Sequence, residues 1–489
     1  MKSNFNFKLI LKIQGSLMLV ESIFLISAYL VSLYFRESVG LDFLYSSGIS
    51  LILGSFGLIV GWNASPTIGK REGSVIVTLT WLLFSAVGML PFLFSGSIQS
   101  VPDAFFETMS GFTTTGASIL NNIEELPNSI LYWRSMTHWI GGLGIIVISM
   151  ALLPIFGFSG MQIFSAEATG PTKDKIHPKI SETAKRLLTI YIILTLSETI
   201  MLKIAGMSLF DAICHSFGTI ATGGFSTKQA SIGHYDSPFI EYIIIFFMIF
   251  SGVNFALYYF IAKLKVFKVL KNEELRTYLL IIIGFSLFLT LSQFDFSKEF
   301  SWISLEEFVR NGLFVATSTM STTGFVTIDY NHWTPFTWYL IIILMLIGSS
   351  AGSTAGGMKV IRVLLIFKYS YYEFKRFIHP NAVFPVRYNQ HVLGDEVIAR
   401  VLAFALLYFI IIFSGATFLS VMGLGYIESF SGMITCLSDV GPGLGNIGPA
   451  YNFSHIPDAS KWFLSLVMLI GRLEIFTVLL IFTPVFWKK

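Results

Sequence analysis

The sequence predicts an all-α polytopic membrane protein, and three observations lead there. Only 12% of the 489 residues are charged while 54% are hydrophobic, about half the charge fraction of soluble domains. Long apolar stretches recur, each able to cross a hydrocarbon core about 30 Å thick. Between them, one short polar pattern returns four times. The net charge of +3 gives no reason to expect a nucleic-acid partner, and Cys214 and Cys436 have neither disulfide nor metal spacing. They read as small buried hydrophobes.

About ten spans are expected, near 13–35, 43–62, 74–95, 131–155, 187–205, 239–262, 277–294, 335–366, 399–422 and 462–487. The first follows Lys2, Lys8 and Lys12, but it is long for a signal peptide and has no small-residue cleavage site, so it reads as retained. Most Lys and Arg fall in clusters at 2–12, 70–71, 173–186, 263–276, 359–400 and 488–489. The alternate connections carry acids such as Glu124, Asp236, Glu299 and Glu306. The positive-inside rule places the basic clusters and both termini in the cytoplasm, which requires an even number of spans. No soluble domain fits. The stretches 157–185 and 368–398 are short basic connectors suited to docking another protein. Trp62, Trp133, Trp302, Trp338, Trp462 and Trp487 lie near span ends and read as interfacial belts.

The fourfold pattern is DAFFETMSGFTTTGAS (103–118), DAICHSFGTIATGGFS (211–226), NGLFVATSTMSTTGFV (311–326) and ESFSGMITCLSDVGPG (428–443). In each, a residue suited to a helix start (Asp103, Asp211, Asn311, Glu428) precedes a glycine (Gly116, Gly224, Gly324, Gly441) by thirteen positions. About ten helical residues give ~15 Å at 1.5 Å per residue, half a membrane. Such a segment dips in and must return as extended chain, which membrane depth tolerates only where that chain is buried in protein or lines a cavity. One Thr-Thr-Gly is usually a surface turn; four at one spacing, on one side of the membrane, are a repeat. Four loops converging on one axis would ring it with carbonyls, which with Thr hydroxyls replace the water shell of a K⁺ ion.

Two further features lie inside the membrane. The eighth span contains SSAGSTAGG (349–357), and so many small residues melt or bend a helix, each Gly costing about 1 kcal/mol against Ala. The plain alternative is tight helix packing through small residues. The functional reading is a loop that opens or closes the path, built from Gly352, Ser353, Thr354, Gly356 and Gly357, with Lys359 and Arg362 at its cytoplasmic edge. Arg472 lies within the last span, where an arginine costs about 2.5–3.5 kcal/mol and so needs a partner. Glu474, two positions on, faces elsewhere on a helix, and carbonyls freed by the broken 349–357 segment are the better candidates.

These stretches resemble the Trk/Ktr/HKT superfamily of K⁺ transporters, specifically its TrkH-type membrane subunits. The match is carried by TTTGA (113–117), HWIGGLGI (138–145), ATGGFST (221–227), STTGF (321–325), GSSAGSTAGGMKVIR (348–362), VGPGLG (440–445) and GRLEIF (471–476). The resemblance covers nearly the whole chain. It implies two extra N-terminal helices (1–70) and four M1-P-M2 repeats in pseudo-fourfold arrangement at 71–160, 161–272, 273–390 and 391–489. It implies K⁺ as the transported ion, a gated selectivity-filter pore and no catalytic residues. The filter residues it implies are Thr114, Thr115, Gly116; Thr222, Gly223, Gly224; Thr322, Thr323, Gly324; and Asp439, Val440, Gly441. It implies a gate in the 349–357 segment and control of the pore by the arginine of GRLE. Implied partners are a second copy of the chain, a cytoplasmic RCK/KTN nucleotide-binding subunit of the TrkA type and the lipid of a bacterial inner membrane.

Asp439 stands where the first three repeats have neutral residues, Thr114, Thr322 and, by an offset of one, Gly223. An acid there either strengthens cation attraction or sits behind the filter bonded to backbone amides. Coupled K⁺/Na⁺ or K⁺/H⁺ symport and a poorly selective monovalent cation channel are the neighbouring readings. Coupling needs an intramembrane acid, and Glu198, Glu107 and Glu474 are available. A membrane enzyme would need His, Asp or Ser clustered at one face, and the sequence has no such cluster.

Overall fold

Helices account for nearly all of the regular structure because the apolar runs have no other way to satisfy their backbone in lipid. The computed structural model describes residues 5–65, 69–142, 144, 180–293 and 302–487. Two long helices come first, α1 (Phe7–Phe35) and α2 (Gly40–Val60), packed antiparallel through serines: Ser22 and Ser47 share a hydrogen bond of 2.9 Å and Ser50 donates to Met18 O at 2.8 Å. Outward-facing Ile23, Leu30, Ile52 and Phe56 remain exposed, as lipid-facing positions require.

The remaining chain follows a span, re-entrant helix, span order four times. In the first unit these are α3 (Lys70–Gly88, continued by a short turn Leu90–Phe94), α4 (Val101–Phe112) and α5 (Asn128–Gly142). The start of α5 is held by Glu37, whose carboxylate accepts from Asn128 N at 2.6 Å and Ser129 N at 3.0 Å. The rest of the expected fourth span, beyond Gly144, and most of the connector at 157–185 lie outside the described residues. The second unit comprises α6 (Ile180–Ile204), α7 (Leu209–Ile220) and the bent pair α8 (Pro238–Ser251) and α9 (Phe255–Ala262). The third comprises α10 (Glu273–Ser292), α11 (Trp302–Met320), α12 (Pro335–Ile347) and α13 (Val360–Ile378). The fourth comprises α14 (Asp395–Val421), α15 (Tyr426–Ser438), α16 (Asp458–Arg472) and α17 (Ile475–Leu479). A small hairpin pairs Arg387–Tyr388 with His391–Val392 in the connector after α13.

Among the described residues, six helices are long and apolar enough to cross a bilayer, and two bent pairs add up to two more. Three expected spans are not continuous. The eighth breaks between α12 and α13, as its small-residue run suggests. The sixth bends by 97° at Gly252–Asn254 and the tenth by 116° at Leu473–Glu474. Asn254 starts α9 by accepting from Ala256 N at 2.8 Å, and Glu474 takes a left-handed conformation at φ 60.

The predicted helix starts also shift. Asp103, Asp211 and Glu428 are each the third helical residue, with Ser100, Ser208 and Gly425 at the cap. They serve the helix dipole rather than the cap itself; in α7 Ser208 is the cap, accepting from Asp211 N at 3.0 Å. Asn311 is neither, because α11 begins nine residues earlier at Trp302 and runs for 19 residues. Trp133 is not interfacial either. It is fully buried and donates to Gly88 O at 2.9 Å, in a core that includes Trp81, Phe84, Phe106 and Phe112. Cys214 and Cys436 are both free and buried.

Candidate ion-conduction site

Each re-entrant helix ends in the same way. The backbone N–H groups of Thr115, Gly223, Thr323 and Val440 donate to carbonyls five residues back, Ser110 O at 2.9 Å, Gly218 O at 2.8 Å, Ser318 O at 2.9 Å and Thr435 O at 3.0 Å. This is the six-to-one closure of a helix whose next residue is left-handed. That residue is Thr114, Thr222, Thr322 and Asp439, at φ 57, 57, 54 and 56. Glycine usually fills such a place, and β-branched threonine fits it poorly, so three of the four turns hold local strain of a kind found at functional sites. The true counterpart of Asp439 in the second repeat is therefore Thr222, with no offset, and not Gly223.

Two residues further on, Gly116, Gly224, Gly324 and Gly441 also have positive φ. Their surroundings establish how the four loops meet. A Cβ on Gly116 would lie 2.0 Å from Gly223 O, one on Gly224 2.0 Å from Thr323 O, one on Gly324 2.0 Å from Val440 O, and one on Gly441 2.7 Å from Thr115 O. The contacts run from repeat one to two, two to three, three to four and back to one. Four backbone carbonyls thus form a closed ring, each against a glycine of the neighbouring loop. One cavity is lined by all four glycines together with Ser118, Lys228 and Asn452.

The side chains around the ring are partly interlocked. Thr115 Oγ1 bonds Thr113 Oγ1 at 2.8 Å and Asp439 Oδ1 at 2.9 Å; Thr323 Oγ1 bonds Ser321 Oγ at 2.7 Å. Asp439 is fully buried. Its partner is the Thr115 hydroxyl of the first repeat, and not a set of backbone amides. Gly223 has no side chain because His138 fills that place: a Cβ there would lie 2.3 Å from His138 Nδ1.

The 348–359 segment packs against the inner ends of these loops. Gly356 N donates to Thr322 Oγ1 at 2.8 Å, Thr354 Oγ1 to Ile220 O at 3.0 Å and Ser349 Oγ to Met320 O at 2.8 Å. A Cβ on Gly356 would lie 2.1 Å from Ser438 O. The segment therefore reaches the C-terminal ends of the second, third and fourth re-entrant helices, and terminal carbonyls of the second and third supply its acceptors. Gly352 and Gly357, at φ 73 and 75, make its turns, and Ser353 Oγ donates to Ser350 O at 2.7 Å within it. Lys359, itself left-handed at φ 72, donates from Nζ to Ala355 O. The bend between α8 and α9 now has an account: Gly252 O accepts from Ser350 N at 3.1 Å and Phe255 N donates to Gly352 O at 3.0 Å. The polar run Ser251-Gly252-Val253-Asn254 within an apolar span is the signal that could have predicted it.

Arg472 supplies the link to the first repeat. Its Nη1 donates to Thr354 O at 2.6 Å and Thr114 Oγ1 at 2.9 Å; its Nη2 donates to Gly141 O at 2.5 Å and Gly142 O at 2.9 Å. Glu474 pairs instead with Arg362, at 2.6 Å, and Arg362 also stacks 3.9 Å from the Phe404 ring. This ion pair joins the two broken helices of the third and fourth repeats and was not anticipated. Gly141 allows the close approach of α5, since a Cβ there would sit 1.8 Å from Phe112 O. Gly141→Ala is expected to force α5 away from α4 at a cost of about 1–3 kcal/mol or more. A lowered thermal midpoint in detergent checks this, and an unchanged midpoint would contradict the packing.

Among the buried intramembrane acids, Glu107 is paired with Arg134 at 2.6 Å and Glu474 with Arg362, Glu198 lies fully buried beside Thr219 of α7, and Glu21 of α1 and Asp439 are fully buried as well. No group of three or more His, Cys, Asp or Glu side chains that could hold a metal occurs among the described residues.

Fold and site together define a multi-pass membrane protein built around four re-entrant loops that close into one carbonyl ring. The sequence model of the TrkH family, described as cation transport protein, matches residues 49–489. The Trk system potassium uptake protein TrkH of Escherichia coli K12 is 39% identical over 487 residues, covering 99% of this chain and 100% of its own. The Trk system potassium uptake protein TrkI of Halomonas elongata is 34% identical over 482 residues, covering 98% and 97%. The crystal structure of the potassium transporter TrkH from Vibrio parahaemolyticus superposes with a TM-score of 0.88 at 36% identity, covering 99% of this chain and 100% of that one. The chain belongs to the TrkH family of cation transport proteins.

Proposed function

We propose that this chain is the ion-translocating subunit of a Trk-type K⁺ uptake system, with both termini cytoplasmic in a bacterial inner membrane. The observation that carries the reading is the closed ring formed by the carbonyls of Thr115, Gly223, Thr323 and Val440 against four positive-φ glycines. Such a ring exchanges water oxygens for carbonyl oxygens around a dehydrated monovalent cation. The re-entrant helices point their partly negative C-terminal ends at the same place, which favours a cation. Membrane potential contributes about 2.3 kcal/mol per charge per 100 mV to inward passage.

In this reading Gly352, Ser353, Thr354, Gly356, Gly357, Lys359 and Arg472 form the gate. Their segment lies against the inner ends of the filter loops and is fastened to all four repeats by the hydrogen bonds and close contacts described above. The chain works as a homodimer with a cytoplasmic RCK/KTN nucleotide-binding subunit that moves this gate. The names of the relatives, which are uptake proteins of Trk systems, support an assembly of this kind. Arginines neutralise Glu107 and Glu474, which favours uncoupled passage over symport through either; a coupling acid would have to be Glu198, Glu21 or Asp439.

The test is K⁺ against Na⁺ flux through the purified chain in liposomes, with and without the nucleotide-binding partner. K⁺-selective flux that responds to the partner is expected. Equal passage of both ions would favour a poorly selective channel, and K⁺ entry that stops without a Na⁺ or H⁺ gradient would favour symport. Deleting 351–355 is expected to raise basal K⁺ flux in the absence of the partner; unchanged or abolished flux would count against a gate there.

A further inference from the structure

We infer that Glu107, Arg134 and His138 form a rear brace on the first two filter loops and are positioning residues for cation discrimination, an inference that rests on the K⁺-pore reading above. All three are buried to 2% exposure or less. Glu107, in α4, accepts from Ser118 Oγ at 3.0 Å and Ile119 N at 2.8 Å, just beyond the first filter loop, and from Arg134 Nε at 2.6 Å. Arg134, in α5, then reaches into the second loop, donating from Nη1 to Ser226 O at 2.8 Å. One helical turn later His138 fills the side-chain space of Gly223 and accepts from Phe225 N at 3.4 Å. The Phe225 ring is held between the two, with the Arg134 guanidinium 3.6 Å from its centroid and the His138 ring stacked at 4.0 Å and 16°.

The brace is lopsided. Four residues after Asp103, Asp211, Asn311 and Glu428, the re-entrant helices carry Glu107, His215, Val315 and Gly432. Glu107 and His215 both bond the serine eleven positions on, Ser118 at 3.0 Å and Ser226 at 2.8 Å. Val315 and Gly432 have no side-chain group able to do so. The first two loops are thus clamped from behind by charged and aromatic side chains, at Ser118–Ile119 in the first and from Gly223 to Ser226 in the second, close in sequence to Thr115 and Gly223, whose carbonyls form half of the ring. On the snug-fit account of selectivity, a carbonyl ring prefers K⁺ because its oxygens resist closing onto a smaller ion. A buried ion pair adds little net stability against an apolar replacement, so in this brace the Glu107–Arg134 pair serves geometry.

The experiment compares four variants of the full chain in liposomes, reading K⁺ flux alone and K⁺/Na⁺ discrimination separately. Glu107→Gln/Arg134→Gln removes both charges together so that neither is stranded. His138→Ala empties the space beside Gly223. Phe225→Leu removes the stacked ring and Phe225→Tyr keeps it. Expected is a fall in discrimination of about tenfold in the first three, with K⁺ flux within about threefold of wild type, and wild-type discrimination in Phe225→Tyr. The brace is overturned if the folded double variant and Phe225→Leu discriminate as wild type does, or if flux and discrimination are lost together in all four. Should the double variant fail to fold, His138→Ala and the Phe225 pair decide by the same criterion. A wild type that does not itself discriminate would remove the K⁺ reading first, and the brace with it.

Discussion

Replacing Gly324 with serine is expected to lower K⁺/Na⁺ discrimination by about tenfold or more, equivalent to about 1.4 kcal/mol of preference, while leaving the protein folded. The position is closed to a side chain on two counts. Its φ is +76, a conformation that L residues other than glycine rarely take, and a Cβ would stand 2.0 Å from Val440 O and 2.9 Å from Pro442 Cδ. The obstructing atom is a ring carbonyl rather than a flexible side-chain tip, so the oxygen must move, and in the proposed function its position is what holds the ion. The damage stays within the loops because the helix closure at Thr323 N lies one residue earlier and is untouched. Gly116 and Gly224 meet the same obstruction at the same distance and should behave alike. Gly441, whose nearest oxygen lies 2.7 Å away, should be the mildest of the four. K⁺ and Na⁺ competition in liposomes measures the series, and unchanged discrimination in Gly324→Ser with intact flux would refute the filter assignment.

Replacing Arg472 with glutamine is expected to raise basal K⁺ flux by about tenfold without the nucleotide-binding partner. Arg472 donates charge-assisted hydrogen bonds at 2.5–2.9 Å to three separate pieces of chain, namely to Thr354 O of the inner segment, Thr114 Oγ1 of the first re-entrant loop and the carbonyls of Gly141 and Gly142. Hydrogen bonds to charged groups contribute about 1.5–3 kcal/mol each, so losing even one attachment of the 348–359 segment shifts its equilibrium by an order of magnitude. Arg472→Lys should fall between, because an ammonium cannot span both sets of acceptors as a planar guanidinium does. Tracer flux through reconstituted protein decides: a folded Arg472→Gln variant with unchanged or lower flux would show that this residue does not hold a gate shut.

Much of this architecture was legible in the chain. Membrane spanning follows from composition, because apolar runs of this length have nowhere else to fold. The four re-entrant segments were legible through one constant spacing, from Asp103, Asp211, Asn311 and Glu428 to their glycines. The acids at three of these positions turned out to serve the first helical turn from its third residue, and Asn311 lies within a longer helix, so the spacing was sound although the capping role was not. The small-residue run at 349–357 predicted a broken helix because glycine and serine lower helix stability locally. Asp439 was aligned with Gly223 instead of Thr222 because adjacent glycines at 223 and 224 leave two registers open in the sequence; the left-handed backbone angle at Thr222 closes that choice.

What the sequence determined by itself, then, were properties set by near neighbours: apolar length, helix-breaking composition, turn residues and their fourfold recurrence. What only the tertiary structure decided was which distant groups meet. The ring closes because Gly116, Gly224, Gly324 and Gly441 each accept a carbonyl from a loop about a hundred residues or more away. Arg472 finds Thr114 and Gly141 across more than three hundred residues, and Glu474 finds Arg362 rather than its own neighbour. The bends at Gly252–Asn254 and Leu473–Glu474 exist to bring such groups into register. Spacing along a helix is fixed by covalent geometry and can be read from one strand of text; the pairing of a buried charge is fixed by where the helices pack, and no local pattern encodes it.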